Sequence, residues 1–493
     1  MKLRFLLTLT ASLGILFTCQ AQYASDALRF SQTQFGSTAR FKGLGNAQTA
    51  IGGDLSTLGA NPAGLGLFTR SEFGAGLEVN SYNNRADYLN KNTVSGKDLL
   101  NFNQVGAVFY IPALRPKGSD LKSGWISFDL GIGYNRQADY GNNLVYTGVN
   151  AVNSIADYFA ELANNNYGIP STLAGTGSVE EMAYNDYLID YVNGKYIPET
   201  EVPTTQTRSE ERSGGQNQLN LALAANYSNR FYIGLNLGFA NINYNSAAQF
   251  KETGNNITEG SNYQTRFSQD QQTKGNGFNA KLGFIYKPIH AIRLGAIFES
   301  PTWYEINDSY TEVLNTDYTN PVPANTNSSE NYTFTYRLRT PTKLSGGIGI
   351  FLGNNGFISA DIDFVDYSKI QFRGVRSGDL SVINDNNEAV ISQFKKTRNY
   401  RLGAEFKLDQ LMIRGGFGIQ GNPYQNLEDN RFQTKTYSVG LGYRVKNYYM
   451  DLSYQKVSAN SDLKPYLLSD GTAPVASVRS DRNNIFMTFG IRF

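Results

Sequence analysis

The sequence predicts an all-β fold, a transmembrane antiparallel β-barrel of about fourteen strands. Three observations predict it. The last twelve residues alternate with a period of two: Ile485, Met487, Phe489, Ile491 and Phe493 form an apolar row, and Arg482, Asn484, Phe486, Thr488, Gly490 and Arg492 form a mostly polar or small one. A strand of about ten residues with one greasy face crosses a bilayer when tilted. The same alternation recurs from residue 72 to the end. From the fourth segment onward the connections alternate between very short and long, which a soluble sandwich has no reason to do.

The N-terminus reads as an export signal. Lys2 and Arg4 precede a mostly apolar run from Phe5 to Phe17, and Cys19-Gln-Ala21 offers a small residue for cleavage before Gln22. The run is too short for a membrane helix, so residues 1–21 read as a cleaved signal peptide. Cys19 is the only cysteine. Lipidation at Cys19 is the alternative, with Thr18 standing where a lipoprotein signal usually has Gly, Ala or Ser. Cleavage at Ala21 leaves no cysteine, and hence no disulfide.

Beyond residue 21 no segment has the roughly eighteen consecutive apolar residues of a membrane helix. The chain carries 32 Tyr, 30 Phe and 49 Gly against 14 Pro. Aromatics suit interface girdles, and glycine suits a crowded lumen. A net charge of +2 points to no nucleic-acid partner.

Period-two alternation places strands at Glu72–Asn80, Phe102–Pro112, Gly124–Asn135, Gln216–Tyr227, Arg230–Tyr244, Gly277–Lys287 and Ala291–Glu299. Seven more follow at Tyr332–Phe351, Gly356–Ile370, Arg398–Lys407, Leu411–Gln420, Thr434–Arg444, Asn447–Lys456 and Arg482–Phe493. Rows such as Leu219, Leu221, Leu223, Ala225 or Tyr437, Val439, Leu441, Tyr443 should face lipid, and the polar rows between them the lumen. Ser228-Asn229, Pro288-Ile-His290, Gly353-Asn-Asn355, Asp409-Gln410 and Val445-Lys446 read as periplasmic turns. Ser81–Asn101, Arg136–Gly215, Asn245–Asn276, Ser300–Asn331, Gln371–Thr397, Gly421–Gln433 and Val457–Asp481 read as external loops. Within Arg136–Gly215, Asn153–Ala163 and Val179–Tyr191 have the spacing of short amphipathic helices. Both termini then lie on the periplasmic side.

Residues 22 to 70 are not strand-like. Small residues dominate Gly45-Asn-Ala-Gln-Thr-Ala50, Asp54, Ser56, Thr57 and Asn61-Pro-Ala-Gly64. This segment resembles the FadL/TodX family of outer-membrane hydrophobic-compound transporters. Further similar stretches are Arg293-Leu-Gly-Ala-Ile-Phe-Glu-Ser-Pro301, Thr340-Pro-Thr342 and Gly133-Tyr-Asn-Arg-Gln-Ala-Asp-Tyr140, the last in the style of a Bacteroidetes branch. The resemblance implies that residues 22–70 form a hatch in the lumen and residues 71–493 the barrel. It implies that Asn61, Pro62, Ala63 and Gly64 form the hatch motif, which we expect to dock near the first strands. It implies a break in the third strand that releases ligand sideways into the membrane, for which Gly131 and Gly133 are the candidates. The final Phe493 is similar to the terminal aromatic that barrel-assembly machinery reads.

The function implied is passive, hatch-gated import of a small hydrophobic molecule of fatty-acid type across the bacterial outer membrane. A heme or porphyrin importer, and an adhesive or structural barrel, are the alternatives. The expected surroundings are membrane lipid and lipopolysaccharide, and the chain reads as a monomer. No catalytic constellation, metal set or cofactor site is visible. The one histidine, His290, falls in a predicted turn. Asp361 and Asp363 are inward carboxylates suited to an ion pair or a cation. Arg293, Arg401, Glu405, Lys407, Arg414 and Arg444 are expected lumen charges.

Overall fold

The computed structural model describes residues 17–493, apart from 115, 117–119, 121–122, 259, 320–325, 329–330, 376–379 and 429. Most of the expected signal segment, residues 1–16, therefore lies outside the described residues.

One antiparallel sheet closes on itself. Its strands are β1 (Glu72–Tyr88), β2 (Lys91–Pro112), β3 (Trp125–Asp139, continued by Asn142–Asn150), β4 (Thr200–Tyr227), β5 (Phe231–Asn256), β6 (Ser261–Ile289) and β7 (Ile292–Glu299 and Trp303–Tyr318). They continue as β8 (Tyr332–Arg339 and Lys343–Phe351), β9 (Gly356–Asp366 and Gln371–Gly374), β10 (Lys396–Leu408), β11 (Leu411–Gln420), β12 (Thr434–Val445), β13 (Tyr448–Leu463) and β14 (Ala476–Arg492). Each pairs with the next, and β14 returns to β1 from Glu72–Arg492 to Tyr88–Ala476. All fourteen expected segments are strands of this barrel, in order. Closure leaves no free edge across the bilayer, where an unpaired backbone group costs several kcal/mol, on the order of a lost hydrogen bond or more.

The alternation does what it promised. Leu219, Leu221, Leu223, Tyr437, Val439, Leu441 and Tyr443 are all exposed, forming part of an outward apolar band, whereas Ala225, expected in the same row, is buried. Ile485 and Phe489 of β14 belong to it, whereas Phe486 is buried inside under the Lys42 ammonium, 4.9 Å from its ring centre. The short turns use left-handed residues, among them Ser228, Asn229, Asp409 and Lys446.

Three expectations change. Several expected loops are strand extensions: β1 and β2 run on to a turn at Leu89-Asn90, and β5 and β6 stay paired out to Asn256 and Ser261. Beyond the bilayer both faces meet water, so pairing continues without the apolar row that betrays it in sequence. The eighth strand is not continuous. Prolines 301 and 341 interrupt β7 and β8 side by side, and Thr302 and Thr340 bridge the gap with Thr302 N–H to Thr340 Oγ1 at 2.8 Å and Thr340 N–H to Thr302 O at 3.1 Å. The N-terminal region also begins with a helix, α1 (Phe17–Ser31), which runs through the expected cleavage point.

At the long-loop end, α2 (Ile155–Asn166) and α3 (Val179–Asn185) pack Phe159, Leu162 and Met182 onto Phe250, Tyr263 and Phe267 of β5 and β6. Ser154 and Asp157 form a capping box that starts α2. The expected Val179–Tyr191 helix stops at Asn185, because Tyr187 turns left-handed and Ile189–Val192 opens a small hairpin with Lys195–Pro198. A helix that periodicity did not mark, α4 (Leu380–Gln393), follows β9.

Candidate functional site

The N-terminal segment from Phe35 to Phe68 lies within the ring of strands. Two short 3₁₀ turns organise it. Asp54 starts the first, Leu55–Leu58, its Oδ1 accepting Ser56 N–H at 2.9 Å and the Thr38 hydroxyl at 2.8 Å. Asn61 starts the second, Pro62–Leu67, its Oδ1 accepting Ala63 N–H at 3.1 Å. The Asn61 amide donates to Thr49 O at 2.7 Å and to Phe284 O, on β6, at 3.2 Å. Pro62 occupies the first position of its turn, where its missing N–H is no loss. Ala63 packs against Tyr232 and Ile285. The motif itself meets the wall at β5 and β6, while the turn it starts carries Leu65 to Gly131 of β3 and Gly66 to Ala225 of β4.

The wall is glycine where the segment touches it. A Cβ at Gly283 would stand 2.0 Å from Asn61 Oδ1, and one at Gly234 would stand 2.3 Å from the Pro62 carbonyl carbon. Further round, Gly295 lies under Thr49, Gly347 under Thr49 and Asp361, Gly403 under Leu44, and Gly416 under Gly45. Side chains there would exclude the segment.

Gly131 and Gly133 belong to this belt and do not kink the strand. Added Cβ atoms would stand 2.3 and 2.7 Å from Leu58. Both stay in register with β2 and β4. The irregularities of β3 fall instead at Trp125/Ser127 and Arg136/Ala138, and the strand breaks between Asp139 and Asn142. From there outward the wall opens. β2 and β3 pair only from Gln104–Asn135 to Pro112–Ser127, while Asn142–Asn150 pairs with β4 alone. Side chains bridge this seam: Asn101 and Asn80 donate to Asp139 Oδ2 at 2.8 and 2.6 Å, and Ser95 donates to Asn143 O at 3.0 Å.

Buried charges tie the segment to the barrel. Arg40 forks onto Glu405 at 2.9 and 3.0 Å, and Arg414 joins Glu405 at 2.7 Å to Asp451 at 2.6 Å. Asp361 accepts the N–H groups of Gln48 and Thr49 at 2.8 and 2.9 Å, while Arg401 binds its neighbour Asp363 at 2.7 Å. The two inward carboxylates therefore carry an ion pair and a backbone anchor. Removing one partner of such a buried pair costs about 3–5 kcal/mol, so these links fix position. Among the described residues no group of His, Cys, Asp and Glu could hold a metal ion.

Outside the segment, toward the long loops, the lumen holds an aromatic chamber. Tyr140, Tyr244, Tyr304 and Tyr336 are buried around Ala24, Ala27, Leu28 and Phe30 of α1, and α4 lends Ile383 and Val390. Phe30 meets Tyr140 and Tyr244 edge-on at 5.9 and 6.2 Å. Gln216 accepts from Tyr140 at 2.8 Å and donates to the Tyr304 hydroxyl at 2.7 Å. The fully buried Tyr336 hydroxyl has no partner among the described residues. Asp26 holds α1 by accepting from Gln271 at 2.7 Å. The chamber reaches the seam: Arg136, Asp139, Tyr140 and Asn142 share a cavity with Leu28 and Arg29. Sequence reading missed it, because tyrosines on four separated segments carry no local pattern.

A closed barrel with a filled lumen and an outward apolar band defines an outer-membrane type of fold. No family model and no curated protein matches the chain. Solved structures do. The chain matches the toluene transporter TodX of Pseudomonas putida with a TM-score of 0.53 at 11% identity, covering 93% of this chain and 99% of that one. It matches a Pseudomonas aeruginosa FadL homologue with a TM-score of 0.52 at 11% identity, over 93% and 98% of the two chains. It matches the CymD monoaromatic hydrocarbon channel with a TM-score of 0.51 at 12% identity, over 93% and 98%. These are transporters and channels, not enzymes, and the resemblance read from Asn61-Pro-Ala-Gly64 and its neighbours thus leads to the same fold.

Proposed function

We propose that this protein is a passive outer-membrane importer of small hydrophobic molecules, and that residues 22–70 are its hatch. The observation that carries the reading is the aromatic chamber in an otherwise polar lumen, occupied by the chain's own α1. A greasy ligand entering from the long-loop side would exchange with Phe30 and Leu28, which leaves apolar contact conserved and makes the exchange nearly neutral in cost. The unpaired Tyr336 hydroxyl suits a ligand with one hydrogen-bond acceptor. The similar structures are a toluene transporter and a monoaromatic hydrocarbon channel, which supports the hydrophobic class.

Exit runs sideways through the β2–β3 seam, where side chains replace the ladder beside the chamber. The hatch closes the straight route, held by Asn61 at Phe284 and by Arg40 at Glu405. The one histidine, His290, is exposed in the turn between β6 and β7, remote in the chain from the chamber, so no observation favours a histidine-held tetrapyrrole. The test is native mass spectrometry of protein purified with its lipid, alongside uptake of labelled toluene, dodecanoate and protoporphyrin. Uptake and co-purification of a fatty acid or an aromatic hydrocarbon support the reading. Retention of protoporphyrin alone, or no uptake of any, would overturn it.

A further inference from the structure

The outer wall of the barrel is not charged evenly. Toward the long loops each outward apolar row ends, and the next outward positions stand where lipid head groups begin. On β5 and β6, past Phe239 and Phe278, these positions hold Asn241, Asn243 and Asn276, and then Lys274. On β8 they hold Arg339 and Arg337, and Arg373 of β9 lies directly opposite Arg337. On β10, past Tyr400, they hold Arg398 and Lys396, and on β12, past Tyr437, Lys435. Except for the half-buried Arg339, these cations are exposed. Arg337 meets Glu305 at 3.7 Å, and among the described residues the other cations of β8 to β12 just named form no ion pair. Asp366, opposite Lys396 in register, already accepts the Ser368 N–H at 3.2 Å and hydroxyl at 2.6 Å.

Strand register gathers these cations on one face. Leu344 of β8, Phe364 of β9 and Arg398 of β10 stand in one row across the sheet. Tyr400, Ile419 of β11 and Lys435 form the next row toward the membrane. The cations of β8 and β10 are therefore two strand spacings apart, about 10 Å. A groove opens beside Arg398, lined also by Lys396, Gly421 and the exposed Leu344 and Phe364. The Arg398 guanidinium lies 5.9 Å from the centre of the Phe364 ring. Arg337 and Arg373, like charges directly opposite each other, weaken the ladder unless an anion sits between them. Guanidinium and ammonium groups at head-group level are matched by phosphate, and the apolar floor beside them by an acyl chain.

We propose that this face binds a phosphorylated saccharolipid of the outer leaflet, a lipopolysaccharide. One phosphate sits between Arg337 and Arg373, another on Arg398, Lys396 and Lys435, and an acyl chain lies along Leu344 and Phe364. The long-loop end of such a barrel faces that leaflet. A lipid with a single phosphate fills one set of cations and leaves the other open, whereas phosphates at the two ends of a sugar head reach both. Such binding depends on the outer-membrane location proposed above and not on import.

The test uses full-length protein in detergent micelles and reads lipid binding, so a failure of import leaves its outcome untouched. The probes are diphosphoryl lipid A, its dephosphorylated form and phosphatidylglycerol. Acetylation of lysines, read by peptide mass spectrometry, locates the contact. Diphosphoryl lipid A should protect Lys396 and Lys435 and leave Lys274, on β6, labelled. Its affinity, titrated by native mass spectrometry, should fall at least about tenfold in Lys396→Gln/Arg398→Gln/Lys435→Gln and stay unchanged in Lys274→Gln. The other two lipids should each bind at least about tenfold more weakly to the unaltered protein. Absent protection overturns the proposal, as does equal protection of Lys274. Equal binding of phosphatidylglycerol overturns it too, since any anionic lipid would then serve, and equal binding of the dephosphorylated form would leave only the apolar wall. Should the triple variant fail to form a heat-shifted folded band, the footprint on unaltered protein decides alone.

Discussion

At the scale of single residues, the lumen works by subtraction. Gly234 and Gly283 leave room for Pro62 and Asn61, so a methyl group there acts on the hatch and not on the ladder. Gly283→Ala should assemble normally but undock the hatch, raising leakage of small polar solutes in liposome swelling. Gly415→Ala, whose added Cβ would meet nothing within 4 Å, should leave leakage unchanged. Equal behaviour of the two variants would remove the belt's role. Asn61→Ala tests the same contact from the other side. It deletes a cap worth about 1 kcal/mol and strips the Phe284 carbonyl of a donor at about 1–3 kcal/mol. That is small against a closed barrel, so the heat-shifted band should persist while tracer uptake changes. Unaltered uptake in a folded variant would reduce Asn61 to a connector. The motif was readable because Asn before Pro is a turn starter by its own chemistry. Its docking partner was not, since Phe284 contributes a backbone carbonyl and the neighbouring side chain is absent.

At the scale of elements, strands were legible only where lipid enforces a one-sided pattern. Leu235, Leu237 and Phe239 announce β5 as far as Tyr244, but Asn245 onward does not, though the ladder runs unbroken to Asn256. The amphipathic spacing of α2 was a local signal, whereas α1 and α4 owe their burial to partners scattered over β3, β5, β7 and β8. Glu252, on the extension of β5, shows what the extensions hold. It is buried in the external cap, accepting the Ile155 N–H at 3.1 Å, Gln206 at 2.7 Å and the Tyr263 hydroxyl at 2.8 Å. Burial pushes its carboxyl up to about 7, outweighing these donors. A carboxyl that binds its proton more tightly when folded loses stability as pH rises from the ordinary glutamate range through about 7. Protection of the Ile155–Asn166 amides, corrected for the pH dependence of intrinsic exchange, should therefore be weaker at pH 8 than at pH 5.5, and Glu252→Gln should flatten the difference. Equal corrected protection at the two pH values in the unaltered protein would show the carboxylate stays charged. The closing strand makes a different prediction. Phe493 is 63% exposed and held by its N–H to Ser71 O at 2.9 Å, so Phe493→Ser should spare the stability of the assembled barrel. Its assembled yield should fall nonetheless in cells with limiting assembly machinery, if the terminal aromatic is read there; equal yield would discount that role.

At the scale of the whole molecule, the barrel separates two tasks that the chain encodes differently. Closure and orientation follow from periodicity and loop length, so they are written along the sequence. The chamber and the seam arise only where distant segments meet, as when Leu28 of α1 reaches Tyr140 of the β3 break. On the import reading proposed above, the seam is where the two tasks conflict, because a wall sealed against water would also pass a hydrophobic ligand. Its solution here is a stretch closed by side chains in place of a ladder: Asn101 and Asn80 on Asp139, Asn84 and Ser95 on Asn143, and Tyr88 packed on Tyr146. Linking the two sides should therefore stop exit without stopping capture. In an Asn101→Cys/Asp139→Cys variant, joined by a short cleavable thiol linker, equilibrium binding of tracer to the purified protein should match the unlinked variant. Uptake by intact cells should fall at least about tenfold, the free-energy equivalent of about 1.4 kcal/mol against opening, and should return when the linker is cut. Uptake that survives the link would move the exit elsewhere, most directly through the hatch held by Asn61 and Arg40.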